Sequence, residues 1–296
     1  MAMKSLTEYI ILQYVTEGSG KVLFSVKARS FKRALEAAVA EEVDLTGANL
    51  GGLNFVGANL SGAKLSSANL MDSDFTGAEL NGADLSEINS QTERYLIFPE
   101  DNDEEFIFSE DSSILTETEV VELFTKTTNF RRANLQGANL KTACLIGADF
   151  YGADLSNADL SEAELVGANL SGAQLRGANL QGAKLKNAIL CRAKLQWANL
   201  RDADLEEAKL QRAELQGTDL SGADLTRASL IGANLCGAKL CNACLNVANL
   251  SNSEIKGTDL SGADLRAADL RRAKLSGLNL QNANLYGVKL SKNVDL

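Results

Sequence analysis

The chain of 296 residues contains no histidine, a single proline and only 5% aromatic residues. The absence of histidine removes the most common general base and the most common metal ligand. No run of about 18 apolar residues occurs, so no transmembrane helix is expected, and the first residues lack the layout of a signal peptide. The cysteines are five, an odd number, and all lie from Cys144 onward, which argues against a disulfide framework and indicates a reducing compartment. A cytoplasmic location is therefore expected.

What the sequence contains in abundance is a repeat of five residues. An apolar residue recurs at every fifth position from Leu45 to Leu85 and again from Phe130 to Leu290. Of these 42 central positions, 37 are leucine; alanine lies two residues earlier in 33 quintets, and Asn or Asp lies between the two in 26. We number each quintet −2, −1, 0, +1 and +2, with the central residue at 0. With 45% apolar residues the chain is too apolar to be disordered, and its period indicates a repeat fold.

This period excludes a simple helix and a simple strand. Residues five apart in an α-helix differ by about 140° around the axis, and in a strand they alternate between the two faces. A chain that turns once per quintet keeps position 0 inside, and four quintets then close one square coil. Coils would stack about 4.8 Å apart, with Leu and Ala in the core. We expect Asn and Asp to accept left-handed corners and to bond to the local backbone, and Gly to make the tightest turn.

The quintet unit, as in the segment GANLSGAQLRGANLQGAKL, resembles the repeat of the pentapeptide-repeat family. The resemblance extends over residues 43–87 and 128–292. It implies an all-β solenoid, a right-handed quadrilateral β-helix. It also implies binding rather than catalysis, because most proteins of this family have no known catalytic activity. The family is especially abundant in cyanobacteria.

Two segments lie outside the quintets and are similar to each other. Residues 1–41 contain the apolar run Tyr9–Val15, a turn, the run Val22–Val26 and a helix from a Ser30 cap to about Ala40. Residues 89–127 have the same order of patterns. We therefore expect a small α+β cap at the N-terminus and a similar inserted hairpin–helix unit. A cap at the start of the first coil would cover leucines and unpaired backbone.

The expected organisation has four segments: a cap (1–41), a first repeat block (42–88), an inserted unit with an acidic loop (89–127) and the main β-helix (128–296). One continuous β-helix is favoured, because the two coils of the first block would be marginally stable alone. The alternative is two separately capped solenoids. No cap pattern follows the main block, so its end is expected to fray or to be covered by a partner, most simply a second copy related by two-fold symmetry.

The charge distribution suggests where a partner would bind. The net charge is −10, of which residues 42–88 carry −6 and residues 89–127 carry −9, whereas residues 128–296 carry +3. Nucleic-acid and membrane binding are therefore not expected, and the partner is expected to be an unidentified protein. When the main block is sorted into four faces, the face with centres 130, 150 and so on to 290 has a net charge of +7. Its candidate binding residues are Arg131, Arg132, Arg192, Lys209, Arg212, Arg271 and Arg272.

Two further candidates are an acidic loop and an exposed aromatic residue. The loop contributes Asp101, Asp103, Glu104 and Glu105, which are either a binding determinant or an ordinary solvated tip. Trp197 is expected to face outward at position +2, and exposed aromatic residues are over-represented in binding hot spots.

No catalytic, cofactor or metal site is expected. Aspartates recur at position −1 as part of the repeat, where they alternate with Asn, and no insertion interrupts the main block to form a cleft. Cys241 and Cys244 form a CxxC pattern, but no second pair and no histidine completes a four-ligand site. We expect a non-enzymatic interaction scaffold. The alternative, by resemblance to some members of the family, is a DNA mimic that binds DNA gyrase, although the main block is net positive and lacks the C-terminal helix that those members use to dimerise.

Overall fold

The computed structural model describes residues 7–12, 22–71, 73–86, 88 and 128–292. Strand β1 (Thr7–Leu12) pairs antiparallel with β2 (Val22–Ala28), and helix α1 (Phe31–Ala40) follows. The first strand begins two residues before the expected apolar run, whose end at Val15 lies outside the described residues. Ser30 precedes α1, and its Oγ accepts a hydrogen bond from the amide of Arg33 at 3.3 Å, which satisfies one of the free N–H groups of the first turn.

Helix α1 lies against the first coil of the repeat. Its Leu35 is fully buried in the common core, and its Phe31 ring lies 6.2 Å from the ring of Phe55. Two polar contacts fix the helix to the coil: Lys32 Nζ donates to the carbonyl of Val56 at 2.7 Å, and Glu36 Oε1 accepts from the amide of Asn59 at 3.1 Å. The helix therefore supplies apolar contacts, a donor and an acceptor to the first coil.

The repeat forms a solenoid of parallel bridges. Position −1 of each quintet pairs with position −1 of the quintet one coil later, as Asn169 pairs with Ile189. The amide of Leu170 donates to the carbonyl of Ile189 at 2.7 Å, and the amide of Ile189 donates to the carbonyl of Ala168 at 2.9 Å. Each inner coil thus satisfies its backbone through its two neighbours.

The quintets fall on four faces, which we number in chain order. Face I holds Phe55, Phe75 and then every twentieth central residue from Phe130 to Leu290. Faces II, III and IV have main-block centres that start at 135, 140 and 145 respectively. Position +2 of face I therefore stands at the corner between faces I and II.

Positions −1 and +2 have different conformations and different hydrogen bonds at the corners. Position +2 has a positive φ at nearly every corner, as in Gly177 (φ 66°) and Asn157 (φ 57°). Position −1 lies within the bridge ladder instead, and its side-chain oxygen accepts the amide of position +1, as Asp149 Oδ1 does from Tyr151 at 2.9 Å. At position −1, Asn and Asp make the expected bond to the local backbone but do not take the left-handed corner, whereas Asn and Asp at position +2, such as Asn157 and Asp202, do take it.

The two repeat blocks form one continuous solenoid. Asp74 pairs with Asn129 and Asp84 pairs with Asn139, so the first block continues directly into the main block. Thr128 reinforces the junction, since its Oγ1 donates to the carbonyl of Leu70 at 3.1 Å. The alternative of two separate solenoids is therefore wrong. The inserted unit, residues 89–127, lies outside the described residues.

The core is a column of leucine and alanine that is buried along most of its length and partly exposed at the last described coil. Central residues from Leu45 to Leu270 and the alanines at −2 are buried almost completely. The last described coil remains partly exposed at eight apolar positions of the core column: Ala273, Leu275, Leu278, Leu280, Ala283, Leu285, Val288 and Leu290. This coil has no described neighbour on its outer side.

Candidate interaction surfaces

The candidate arginines of face I divide into two groups according to their position in the quintet. Arg131 and Arg271, at position +1, are neutralised within the protein. Arg131 forms an ion pair with Asp149 at 2.8 Å, and its guanidinium lies 4.7 Å from the ring centre of Tyr151. Arg271 donates to both carboxylate oxygens of Asp269, at 2.6 Å in the shortest contact, which lowers the pKa of that carboxyl below its usual value. Neither guanidinium is free to form a strong new pair without breaking an existing one.

The arginines at position +2 have no such partner. Among the residues that the structure describes, none forms an ion pair with them. We call these four residues, which stand in one column at the corner between faces I and II, the arginine edge: Arg132, Arg192, Arg212 and Arg272. Lys209, at position −1 of face I, is likewise without an ion pair among the described residues.

The arginine edge occupies corners that favour glycine. The four arginines have φ of 54°, 58°, 58° and 61°, a left-handed conformation that is unfavourable by about 1 kcal/mol or more for a residue with a β-carbon. Two of them pass over glycines of the next coil: a β-carbon on Gly152 would lie 3.6 Å from Arg132 Cγ, and one on Gly232 the same distance from Arg212 Cγ. Only one other described arginine, Arg227, has a positive φ, and it pairs with Glu207.

The spacing of the arginine edge follows from the coil. Arg192 and Arg212 lie on neighbouring coils, about 4.8 Å apart along the solenoid axis. Arg132 lies three coils before Arg192, and Arg272 lies three coils after Arg212, so each outer arginine is about 14 Å further along the axis. The edge therefore presents one central pair and two flanking charges on a rigid support.

Trp197 stands at the next corner, between faces II and III, on the same coil as Arg192. It has a φ of 56°, which is rare for so bulky a residue, and 59% of it is exposed. The Arg176 guanidinium lies 4.4 Å from the centre of the indole. A β-carbon on Gly217 would lie only 2.7 Å from an indole carbon, so the indole lies against bare backbone.

The remaining sequence candidates are the acidic loop and the cysteines. Asp101, Asp103, Glu104 and Glu105 lie outside the described residues. Cys191, Cys236, Cys241 and Cys244 are free thiols. Burial raises the pKa of the Cys244 thiol, and the neighbouring carboxylates Asp224 and Asp264 raise it further. A raised pKa disfavours the thiolate, so the CxxC pattern lacks the activation that a redox site needs.

Within the described residues, no group of three or more His, Cys, Asp or Glu side chains could hold a metal ion. No helix in that part of the chain is long and apolar enough to cross a membrane. A shallow depression at the last three quintets of face I is lined by Arg271, Arg272 and Lys292 together with serine, asparagine and leucine side chains. It has no nucleophile paired with a base, and it remains an open cationic surface.

Sequence reasoning located the basic face but not the distinction within it. It placed Arg131, Arg132, Arg271 and Arg272 on one surface. It did not separate Arg131 and Arg271, which are paired with carboxylates, from Arg132 and Arg272, which are not. Whether an arginine is paired depends on whether it stands at position +1, within reach of a carboxylate at position −1, or at the +2 corner. A signal was nevertheless present, because arginine at position +2 replaces the glycine that the repeat prefers there.

Comparison with known proteins identifies the repeat. A family model described as pentapeptide repeats matches overlapping segments that cover residues 35–89 and 128–291, well over half of the chain. Among solved structures, HetL, a pentapeptide repeat protein involved in heterocyst differentiation regulation from the cyanobacterium Nostoc sp. strain PCC 7120, is 30% identical. That alignment covers 89% of this chain and 98% of HetL, with a TM-score of 0.58.

Two further solved structures are more distant. Rfr23, a pentapeptide repeat protein from the cyanobacterium Cyanothece 51142, is 25% identical over 51% of this chain and 88% of its own, with a TM-score of 0.27. QnrB1, a plasmid-mediated fluoroquinolone resistance protein, is 20% identical over 81% of this chain and 92% of its own, with a TM-score of 0.25. None of the curated proteins matches the chain.

Proposed function

The chain belongs to the pentapeptide-repeat family, and on that premise we propose that it is a non-enzymatic scaffold that binds an acidic protein partner. Its fold is the right-handed β-helix of that family. Proteins of this family are generally structural or binding proteins rather than enzymes. A rigid prism with flat sides suits such a role, because its surface groups are held in fixed positions before a partner arrives.

The arginine edge carries this proposal. Its four guanidinium groups have no carboxylate partner among the described residues, while the neighbouring arginines at position +1 of face I, Arg131 and Arg271, are paired. Each of the four also adopts a backbone conformation in which glycine would be more stable. Other residues at position +2 share this conformation, so the edge is distinguished by its unpaired charge and not by its backbone. Unpaired guanidiniums recognise carboxylates in a bidentate manner, which favours an acidic partner.

The carboxylates of the repeat support a structural role rather than a catalytic one. Asp149 accepts from the amide of Tyr151, from Asn169 Nδ2 and from Arg131, so its oxygens are occupied by three donors. Asp264 is held in the same way by Arg266 and Asn246, and its hydrogen bond with Arg266 lowers its pKa. A general acid near neutral pH needs the opposite shift.

The alternative function, a DNA mimic that binds gyrase, has weaker support. A mimic of duplex DNA needs a continuous negative surface, whereas face I of this chain is positive and ends in the arginine edge. The acidic residues of the first block are also engaged locally: Asp74 Oδ1 accepts from the amide and from the hydroxyl of Thr76. We therefore rank it second.

We further propose that the N-terminal unit caps the solenoid and that the exposed last coil associates with a second copy. The contacts of α1 with Phe55, Val56 and Asn59 support the first part. The partly exposed apolar residues of the last coil support the second, because an open coil edge favours association. Cysteines without disulfides among the described residues support a cytoplasmic location, and the origin of HetL supports a cyanobacterial source.

A titration with an acidic peptide tests the binding proposal. The probe is a fluorescein-labelled peptide of roughly a dozen glutamates, followed by anisotropy at low ionic strength. The test variant replaces Arg132, Arg192, Arg212 and Arg272 with Gly, the residue that these corners favour, so its fold should be retained. The matched control is Arg227→Gly, at the same quintet position on another corner. We expect the test variant to bind at least about tenfold more weakly and the control to match the wild type. Equal binding by all three proteins would overturn the proposal.

A further inference from the structure

Face II brings together the arginine edge and the exposed indole of Trp197. Arg192 and Trp197 are the +2 residues of consecutive quintets, so they stand at the two corners that border face II on one coil. Five extended residues span at most about 17 Å, which limits the distance between them. Lys194 is exposed on the face between them. The guanidinium edge and the exposed indole are thus two sides of one surface.

This surface has an excess of positive charge. Arg176, Arg192, Lys194 and Arg212 are all exposed on three adjacent coils, and no described residue forms an ion pair with any of them. The acidic residue among them, Glu214, already accepts a hydrogen bond from Gln196 Nε2. Four cations facing one engaged carboxylate leave a local field that attracts anions.

Trp197 is held in place although most of its surface is exposed. Arg176 stacks on the indole, and the backbone of Gly217 lies against it on the next coil. An aromatic side chain that is already ordered loses little conformational entropy when a partner packs on it. The surface around Trp197 therefore combines tryptophan and arginine, two residue types that are enriched in binding hot spots.

A flat strip lies beside the indole. The corner that carries Trp197 continues with glycine on each later coil: Gly217, Gly237, Gly257 and Gly277. A β-carbon on Gly237 or on Gly257 would meet no atom within 4 Å, so this strip is open. The indole therefore forms a step above bare backbone, against which an apolar side chain of a partner can pack.

We propose that face II around Trp197 binds an acidic protein segment that carries an apolar anchor residue, with its carboxylates on Arg192, Lys194 and Arg212 and the anchor against the indole. This inference rests on the proposed function and adds the site and the apolar specificity. A nucleic acid fits less well. Duplex DNA carries one charge per about 1.7 Å, far denser than these cations, and stacking on single strands uses several aromatic residues where this face has one described.

The test uses the fact that the chain has a single tryptophan, so its fluorescence reports on this site alone. Two peptides of equal charge serve as probes: a run of glutamates with a central leucine, and the same run with serine in place of leucine. The leucine peptide should shift the Trp197 emission to shorter wavelength and bind about fivefold more tightly than the serine peptide. Unchanged emission at saturation, or equal affinity for the two peptides, would overturn the inference.

Variants separate this inference from the general proposal. Trp197→Gly places the residue that the corner favours and should abolish the preference for leucine while it keeps the weaker binding of both peptides. Trp197→Phe should restore part of the preference, and Tyr286→Ala, which removes another aromatic residue that is 83% exposed, should leave it intact. A preference that survives in Trp197→Gly would contradict the hot spot but not the arginine edge. Tighter binding of a single-stranded oligothymidine than of either peptide would contradict both.

Discussion

The rings of Phe75 and Phe130 stack 5.4 Å apart and within 14° of parallel, although 54 residues separate them in the sequence. They are the middle pair of a column on face I in which Phe55, Phe75, Phe130 and Phe150 stack in turn. Stacked rings of this kind contribute about 0.5–1.5 kcal/mol beyond the burial of their area. The column spans the junction where the inserted unit leaves the solenoid, and it holds the two blocks in register.

The first prediction concerns removal of the inserted unit. Deletion of residues 93–127 removes a whole number of quintets and leaves 88–92 as one quintet, in which Ser90→Leu restores the central leucine. Because the register across the junction is preserved, we expect this variant to unfold cooperatively at a temperature no lower than the wild type. Circular dichroism during heating measures this. A control deletion two residues shorter breaks the register and should unfold at a lower temperature. Loss of cooperative unfolding in the in-register variant would show that the junction depends on the deleted residues.

The second prediction concerns the phenylalanine column. Phe130→Ala should lower the free energy of unfolding by about 3–5 kcal/mol, because it leaves a cavity between two rings. Phe130→Leu supplies the residue that most quintets have at this position and should lower it by less than about 1.5 kcal/mol. Denaturant titration measures both. Similar losses in the two variants would mean that the stacking, rather than the filled volume, holds the junction.

The third prediction concerns the corner under Trp197. Gly217→Ala and Gly237→Ala introduce the same left-handed strain, but only the first places a β-carbon against the indole. We expect Gly217→Ala to be more destabilising and to change the emission of Trp197, whereas Gly237→Ala should leave the emission unchanged. In a Trp197→Gly background the two alanine variants should become equal in stability. If the two alanine variants still differ in stability in that background, the strain in Gly217→Ala arises from a contact other than the indole.

The fourth prediction concerns pH. The hydrogen bond from Arg271 lowers the pKa of Asp269 in the folded state, so this pair stabilises the fold at pH values above the unfolded carboxyl pKa of about 3.9. The stabilisation is lost as the pH falls through the folded pKa. Arg271→Gln should therefore lower the melting temperature near neutral pH, and the difference from wild type should shrink in acid. Arg272→Gln, whose side chain has no described carboxylate partner, should show no such pH dependence. A difference that is constant with pH would contradict the ion pair.

The fifth prediction concerns the open last coil. If its partly buried leucines associate with a second copy, sedimentation at on the order of tens of micromolar should show a dimer. Leu285→Lys should shift the protein toward monomer, whereas Trp197→Gly, which lies far from that coil, should not. A wild-type protein that sediments as a monomer would contradict the self-association.

The sequence alone predicts the solenoid because the quintet repeats its instructions on every coil. The leucines from Leu45 to Leu270 and the alanines before them are core in the structure as the period requires. The backbone conformation of the corner is less predictable, because period and composition do not say whether Asp149 or Gly152 takes the left-handed conformation. That choice depends on the hydrogen bond between Asp149 and the amide of Tyr151, which is a feature of the folded coil and not of the repeat pattern.

The candidate surfaces were harder to predict than the fold. Sorting residues by face groups Arg131 with Arg132, but the first is paired with Asp149 on the next coil and the second is not. The neighbourhood of Arg192 and Trp197 was missed for a related reason. A corner residue such as Arg192 or Trp197 borders two faces, whereas sorting by quintet places it on only one of them.

The most direct test of the central claim is to observe the arginines individually. Nuclear magnetic resonance of the arginine Nε–Hε groups, assigned by single substitutions, can follow each guanidinium during titration with the glutamate peptide. We expect Arg132, Arg192, Arg212 and Arg272 to shift together, with the largest changes at the central pair, while Arg131 and Arg271 remain in place on Asp149 and Asp269. Equal shifts of all six arginines would mean that the peptide responds to net charge alone. Shifts confined to Arg131 and Arg271 would place binding on the face and contradict the arginine edge.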